Sequence, residues 1–356
     1  MGYTGVMMRT WLVLLAVVVA APLAGCTPVK ASFTLFGNDG KLEEKVVYRD
    51  KGADGNKVLL IDVRGLIADR EGGDLFASGP NPVDEMAAKL AKAEKDPSIK
   101  AVIIRINSPG GSVAGSDMMY REVTEFRKRT GKPVVASLGE IAASGGYYLA
   151  LAGDRILVER ATITGSIGVI IPTVNFSDGL NRIGIRSRSV ISKPNKDIAN
   201  PLEPMDAEHY VILQGIVNEF YDNFRGLVIE RRSAESLATV RVPAATAVAT
   251  KPIEMSRIDE LTDGRVMTGA MAVQVGLADG IGGITDAFRL AKAFADLKAA
   301  ELVKYYRQDS DAPRTPYATS GLTGPSGDVN LFQLRVDGLH SPVTGAGAYY
   351  LWVAGE

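Results

Sequence analysis

Ser144 stands in the run Gly139-Glu140-Ile141-Ala142-Ala143-Ser144-Gly145-Gly146-Tyr147-Tyr148, between a β-type stretch at 132–138 and an apolar helical one. A serine at the turn from a strand into the first turn of a helix is well placed for nucleophilic attack. The small neighbours Ala142, Ala143, Gly145 and Gly146 let a substrate backbone come close, and the partial positive charge of a helix N-terminus favours an alkoxide. The competing reading is a capping serine in a tightly packed turn, which is the commoner role for a serine taken alone. A second turn, Asn107-Ser108-Pro109-Gly110-Gly111-Ser112, follows an apolar run at 101–106. Paired glycines after a strand expose backbone N–H groups suited to a phosphate or an oxyanion. A phosphate loop needs Lys-Ser/Thr after its last glycine, but Gly115 is followed by Ser116 and Asp117. The spacing of Gly110, Gly111 and Gly115 also misses the dinucleotide fingerprint, so an oxyanion hole is the better functional reading, against a simple tight turn.

A serine nucleophile needs a base. The chain has two histidines, His209 near the start of a long helix and His340 in the C-terminal tail, and neither carries a local catalytic signature. Lysine is the remaining conventional partner, acting as a neutral amine once burial or neighbouring charge lowers its pKa. Lys193 and Lys196, in Ser192-Lys193-Pro194-Asn195-Lys196-Asp197-Ile198, are the candidates. Each, as an isolated lysine in a polar loop, would ordinarily be a solvated charge.

The elements that must position these groups read as α/β. Lys57-Val58-Leu59-Leu60-Ile61-Asp62-Val63 is a continuous apolar run of the kind found when both faces of a sheet are covered. Residues 66–81 read as a Gly/Pro/Asp-rich loop, 82–96 as a helix with Glu85 and Lys89 one turn apart, and 101–106 as the next buried strand. Strand, helix, strand implies right-handed crossovers. Farther on, 205–232 and 283–297 show helical apolar stripes, with Asp222, Arg225, Glu230 and Arg231 expected on a solvated face of the first. Residues 302–306 read as a strand and 308–328 as a Pro/Gly/Ser/Thr linker. The last stretch, Thr344-Gly345-Ala346-Gly347-Ala348-Tyr349-Tyr350-Leu351-Trp352-Val353-Ala354, is strongly apolar for a terminus. Core packing, an edge strand, or occupation of a peptide groove are its three readings.

Composition bounds the function. The 356 residues are 46% hydrophobic and 23% charged, with 40 basic against 41 acidic side chains and a formal charge of −1. That balance provides no broad polyanion-binding surface, so no nucleic-acid partner is expected. At the N-terminus Arg9 precedes an apolar core at 11–21, closed by Leu23-Ala24-Gly25-Cys26. The stretch 11–25 is shorter than the ~20 residues a spanning helix needs, so it reads as an export signal. The tetrad resembles a bacterial lipobox, which implies lipidation of Cys26, the single cysteine in the chain. An extracytoplasmic, membrane-anchored lipoprotein is the expectation.

Several motifs in order carry a more specific resemblance. Asn107-Ser108-Pro109-Gly110-Gly111, Ala143-Ser144-Gly145-Gly146-Tyr147-Tyr148, Thr164-Gly165-Ser166-Ile167-Gly168-Val169 and Lys196-Asp197 before Asn200-Pro201 together resemble the signal peptide peptidase A family of serine peptidases. Gly264-Arg265-Val266-Met267-Thr268-Gly269 and Gly276-Leu277-Ala278-Asp279 are similar to its C-terminal signature, so the likeness covers about residues 57–300. Met267, Ala278 and Asn200 depart from the usual residue types without touching a proposed catalytic atom. The resemblance implies Ser144 as nucleophile, Lys196 as general base, Gly111 as an oxyanion N–H donor and Ser166 as the hydroxyl that orients the lysine. It implies the Clp protease and crotonase fold of repeated ββα units, in the short form with a single catalytic domain. It also implies peptide substrates such as signal-peptide remnants, a ring-like homo-oligomer in which the lysine can serve a neighbouring subunit, and no metal or cofactor. The domain reading is then 1–25 signal peptide, 26–56 tether and edge segment, 57–307 peptidase domain, and 308–356 linker and apolar tail. A crotonase-like acyl-CoA enzyme and a catalytically silent scaffold are the rival classes.

Overall fold

The computed structural model describes residues 41–70, 80–239, 250–308, 310–318 and, for the backbone, 349–351. Cys26, the export segment, His340 and most of the linker lie outside them. The expected crossover is present: β2 (Lys57–Ile67) and β3 (Ile99–Ser112) are parallel neighbours, joined through α1 (Pro82–Lys95). Helix α1 starts where its sequence says it should. The Asn81 side chain accepts from the Val83 N–H at 2.9 Å, Pro82 fills the first turn, and Lys89 pairs with Glu85 at 3.3 Å.

Helix α2 (Val113–Thr130) follows β3 and leads to β4 (Val134–Ala143), parallel to β3, then to α3 (Gly145–Ala150), β5 (Arg155–Val158) and β6 (Ile163–Gly165). The chain goes on through α4 (Ser177–Arg182), α5 (Ala207–Arg232), α6 (Ala234–Thr239), α7 (Ile258–Leu261), β7 (Val266–Thr268) and α8 (Gly269–Gln274). It closes with β8 (Gly280–Ile281), α9 (Ile284–Phe294), β9 (Glu301–Arg307) and β10 (Tyr349–Leu351). Strand order is β1-β9-β2-β3-β4-β5-β8, where β1 (Leu42–Arg49) is an antiparallel edge on β9; β6 pairs β4 and β7, and β10 pairs β3.

The continuous apolar run of β2 reflects cover on both faces. Leu59, Ile61 and Val63 join Val102, Ile104 and Ile106 in one core beneath α1, α2 and α3, whereas Val58, Leu60, Ala101 and Ile103 pack on the other face against Ile284, Ala287, Phe288 and Ala291 of α9. Period-two alternation sends neighbouring residues to opposite cores.

Two expectations need correction. The stretch 107–112 is strand rather than a loop, and β2 likewise runs past 63 to Ile67. Gly65 (φ 67°) and Gly110 (φ 110°) take left-handed backbone on facing strands, and the ladder resumes beyond the shift as Leu66 opposite Gly110 and Ile67 opposite Gly111. Arg231 is not solvated: its guanidinium donates to the carbonyls of Leu151 (2.8 Å) and Gly153 (2.9 Å), and burial lowers its pKa.

The end of α5 is tied down beside it. Arg232, 3% exposed, meets Asp279, 0% exposed, in a two-pronged pair at 3.0 and 3.1 Å, while the Asp279 carboxylate also accepts from the Ile156 N–H at 2.7 Å. Removing one member of a buried pair strands the other's charge and costs about 3–5 kcal/mol. Asp279→Ala is therefore expected to lower the melting temperature by roughly 10 °C in a thermal unfolding scan.

Candidate active site

Ser144 occupies the single residue between β4 and α3, with φ 52° and ψ −117°. A side chain is strained in that backbone region, at about 1–3 kcal/mol, and such strain persists where surrounding structure enforces it. Here the enforcement is visible. The Ser144 N–H donates to the Gly165 carbonyl at 2.8 Å, and its own carbonyl accepts from the Tyr148 N–H at 2.8 Å. The capping reading fails, because the Ser144 side chain makes no cap bond to α3. Its Oγ is buried, and among the described residues it has no hydrogen-bond partner; the residue is 1% exposed. A buried hydroxyl normally finds a partner, so this orphan calls for a functional explanation.

Side chains that sequence reasoning did not single out hold the turn. Between Ile106 opposite Leu138 and Ser108 opposite Ala142, β4 carries two residues more than β3, and the Asn107 side-chain Oδ1 accepts from the Ile141 N–H at 3.0 Å. The Ser108 Oγ donates to the Gly65 backbone carbonyl at 2.6 Å and accepts from the Gly110 N–H at 3.1 Å. Thr164 donates to the Ala142 carbonyl at 2.7 Å, bracing β6 on β4. Behind the serine, the buried Tyr147 hydroxyl donates to the Leu277 carbonyl at 2.8 Å, and burial pushes its pKa up. Tyr148 donates to Asp117 at 3.0 Å and meets Phe224 edge-on at 5.0 Å between ring centres. The 276–279 motif thus serves as an anchor, with Leu277 holding α3 and Asp279 holding α5. Only the tertiary contact reveals that role.

The glycines explain themselves by close approach. A Cβ on Gly111 would lie 1.7 Å from the Ile67 carbonyl oxygen, and one on Gly146 2.7 Å from that of Ser108. β3 and the first turn of α3 can therefore meet only through bare backbone. Ser166 follows directly on β6, whose Gly165 pairs with Ala143; it also has positive φ (52°), is largely buried, and its N–H donates to the Arg265 carbonyl at 2.7 Å. The structure thus brings Ser144, Ser166 and the Gly110-Gly111 segment to the same end of β3, β4 and β6.

Lys196 makes no hydrogen bond with the Ser144 hydroxyl. It lies in a 3-10 turn, Pro194–Asp197, on an exposed loop, as does Lys193. The loop is ordered by its own polar contacts. Hydrogen bonds from Ser189 and Asn200 hold the Asp197 carboxyl below the usual carboxylate range, and Ser189 N–H donates to Glu203 at 2.5 Å.

Residues 126–298 match peptidase family S49. The protein named "Putative signal peptide peptidase SppA" in Enterococcus faecium is 30% identical over 301 residues, covering 83% of this chain and 81% of its own. "Protease 4" of Haemophilus influenzae is 34% identical over 239 residues, 67% of this chain, but the match spans only 34% of that longer protein. Among solved structures, a membrane-bound stomatin-specific protease superposes with a TM-score of 0.40 at 17% identity, over 66% of this chain and 84% of that one. On the identity and two-sided coverage of the first relative, with the ordered motifs around Ser144, this chain belongs to peptidase family S49, a family of serine peptidases.

Proposed function

We propose that the protein is an extracytoplasmic serine endopeptidase, tethered to a membrane through Cys26, that degrades signal-peptide remnants and similar apolar peptides. In it Ser144 works with Lys196 of a neighbouring copy. The observation that carries this reading is the Ser144 hydroxyl, buried on a strained turn and without a partner among the described residues, which supports a base supplied by a second copy.

The surface around Lys196 supports assembly. Val174 (58% exposed), Ile183 (70%) and Val211 (71%), with Ile185 and Leu202, leave an apolar stretch uncovered from 170 into the first half of α5. Exposed apolar surface of this extent marks an interaction site, and a second copy of the chain fits it. Covering that surface would also strip water from the lysine loop, which is what a lysine needs in order to act as a neutral base. No helix among the described residues is long and apolar enough to cross a membrane.

In the reaction, neutral Lys196 takes the Ser144 proton and the alkoxide attacks a peptide carbonyl. Backbone N–H groups around Gly111 hold the developing charge, and the Ser166 hydroxyl keeps the amine in place. Lys196 then protonates the leaving amine, and water hydrolyses the acyl-enzyme. A fluorophosphonate probe on the assembled protein is expected to modify Ser144, mapped by peptide mass analysis. An assembled protein whose Ser144 stays unmodified would move the assignment to an acyl-CoA enzyme or a silent scaffold.

A further inference from the structure

Of the four non-glycine residues with positive φ among the described residues, two are Ser144 and Ser166, each at φ 52°. One peptide unit joins them. The Ser144 N–H donates to the Gly165 carbonyl at 2.8 Å, and the N–H of that same peptide, which belongs to Ser166, donates to the Arg265 carbonyl at 2.7 Å. In a planar trans peptide the C=O and the N–H point to opposite sides. The Gly165–Ser166 unit is therefore a joint, held by the nucleophile's turn on one side and by the chain just ahead of β7 on the other. Strand pairing brings these partners together: Ala143 stands opposite Gly165, and Gly165 opposite Val266. The approach is close, since a Cβ on Gly165 would come within 3.0 Å of the Arg265 carbonyl oxygen.

What fixes that carbonyl is a turn at 263–265. The Asp263 Oδ1 accepts from the Arg265 N–H at 3.0 Å, an Asx turn across Gly264, whose φ of 91° suits glycine. The same carboxylate takes the Arg265 guanidinium at Nε (3.0 Å) and Nη2 (2.8 Å), and Glu260 takes Nη1 at 2.7 Å. We propose that Asp263 is a positioning residue for the active site: by holding the Arg265 carbonyl it sets the Gly165–Ser166 peptide, and through that peptide the backbone of both serines. The catalytic part of this inference rests on the peptidase reading above. The ion pair of Asp263 with Arg265 is half-exposed, and such pairs contribute little to stability, so the effect of Asp263 falls on geometry. Strained backbone persists only while its neighbours enforce it, and a small displacement of a reacting group costs rate steeply.

Asp263→Ala is expected to lower kcat for peptide hydrolysis at least about ten-fold, with KM within about two-fold of the parent. Asp263→Asn keeps the Oδ1 acceptor and can form the same turn, so its kcat should stay within about three-fold of the parent. Equal losses in the two variants, or parental kcat in Asp263→Ala, overturn the inference. A second measurement does not depend on activity. Hydrogen exchange read at single amides should be at least about ten-fold faster at both Ser144 and Ser166 in Asp263→Ala, and unchanged at 102–106 in β3. Acceleration at neither serine, at Ser166 alone, or equally across β3 overturns the joint. A parent protein that hydrolyses no peptide sinks the peptidase reading instead, and the exchange result then decides the joint by itself.

Discussion

Ser144→Ala is expected to reduce peptide hydrolysis by at least ~10⁴-fold, to the level of the uncatalysed assay, with the fold intact. In the proposed mechanism the loss comes from deleting the single atom that would form the acyl-enzyme; the turn itself is held by backbone bonds to Gly165 and Tyr148 that alanine keeps. Ser144→Gly separates chemistry from strain. Glycine adopts φ 52°, ψ −117° without penalty, so this variant should be equally inactive yet more stable than the parent by about 1 kcal/mol. For a domain of this size that amounts to roughly 2–4 °C in melting temperature. Alanine, which keeps the strained Cβ, should show no such gain. A Ser144→Gly protein that melts lower than the parent would mean that the turn is not strained.

Lys196→Ala is expected to be as inactive as Ser144→Ala, by a similar factor, since an unactivated hydroxyl is a poor nucleophile at neutral pH. The more telling outcome comes from mixing. When the base is supplied across a subunit boundary, co-assembled Ser144→Ala and Lys196→Ala chains contain some sites with an intact serine from one and an intact lysine from the other. About a quarter of the sites in a randomly mixed ring would be complete, so activity should return from background to roughly 25% of the parent after joint refolding. A mixture that stays at background while each variant assembles normally would place both groups of the dyad in one chain.

What the sequence made legible was local. The turn at Ser144 could be read because a β-type run, a string of small residues and an apolar helical run follow one another without interruption, and α1 because its Asn81 cap, Pro82 and Glu85–Lys89 pair all lie within two turns. The extension of β3 to Ser112 was hidden because paired glycines ordinarily signal a turn. Here the left-handed backbone of Gly110 is matched by that of Gly65, 45 residues earlier. Arg231 was misread for a similar reason: the carbonyls that it serves, at Leu151 and Gly153, belong to a distant segment. The lysine loop has no such local reading: Lys193 and Lys196 are exposed on it, and in the proposed function its role depends on a second copy covering that surface.

Strand β10 has a practical consequence for anyone purifying this protein. It ends at Leu351 and pairs with Gly110 and Gly111 of β3. An affinity handle joined close after the strand would bring bulk or charge next to those glycines and disturb the pairing. Assays on a preparation tagged there would then report the handle as much as the enzyme, and a fluorophore placed next to Leu351 would sense whether the strand is seated.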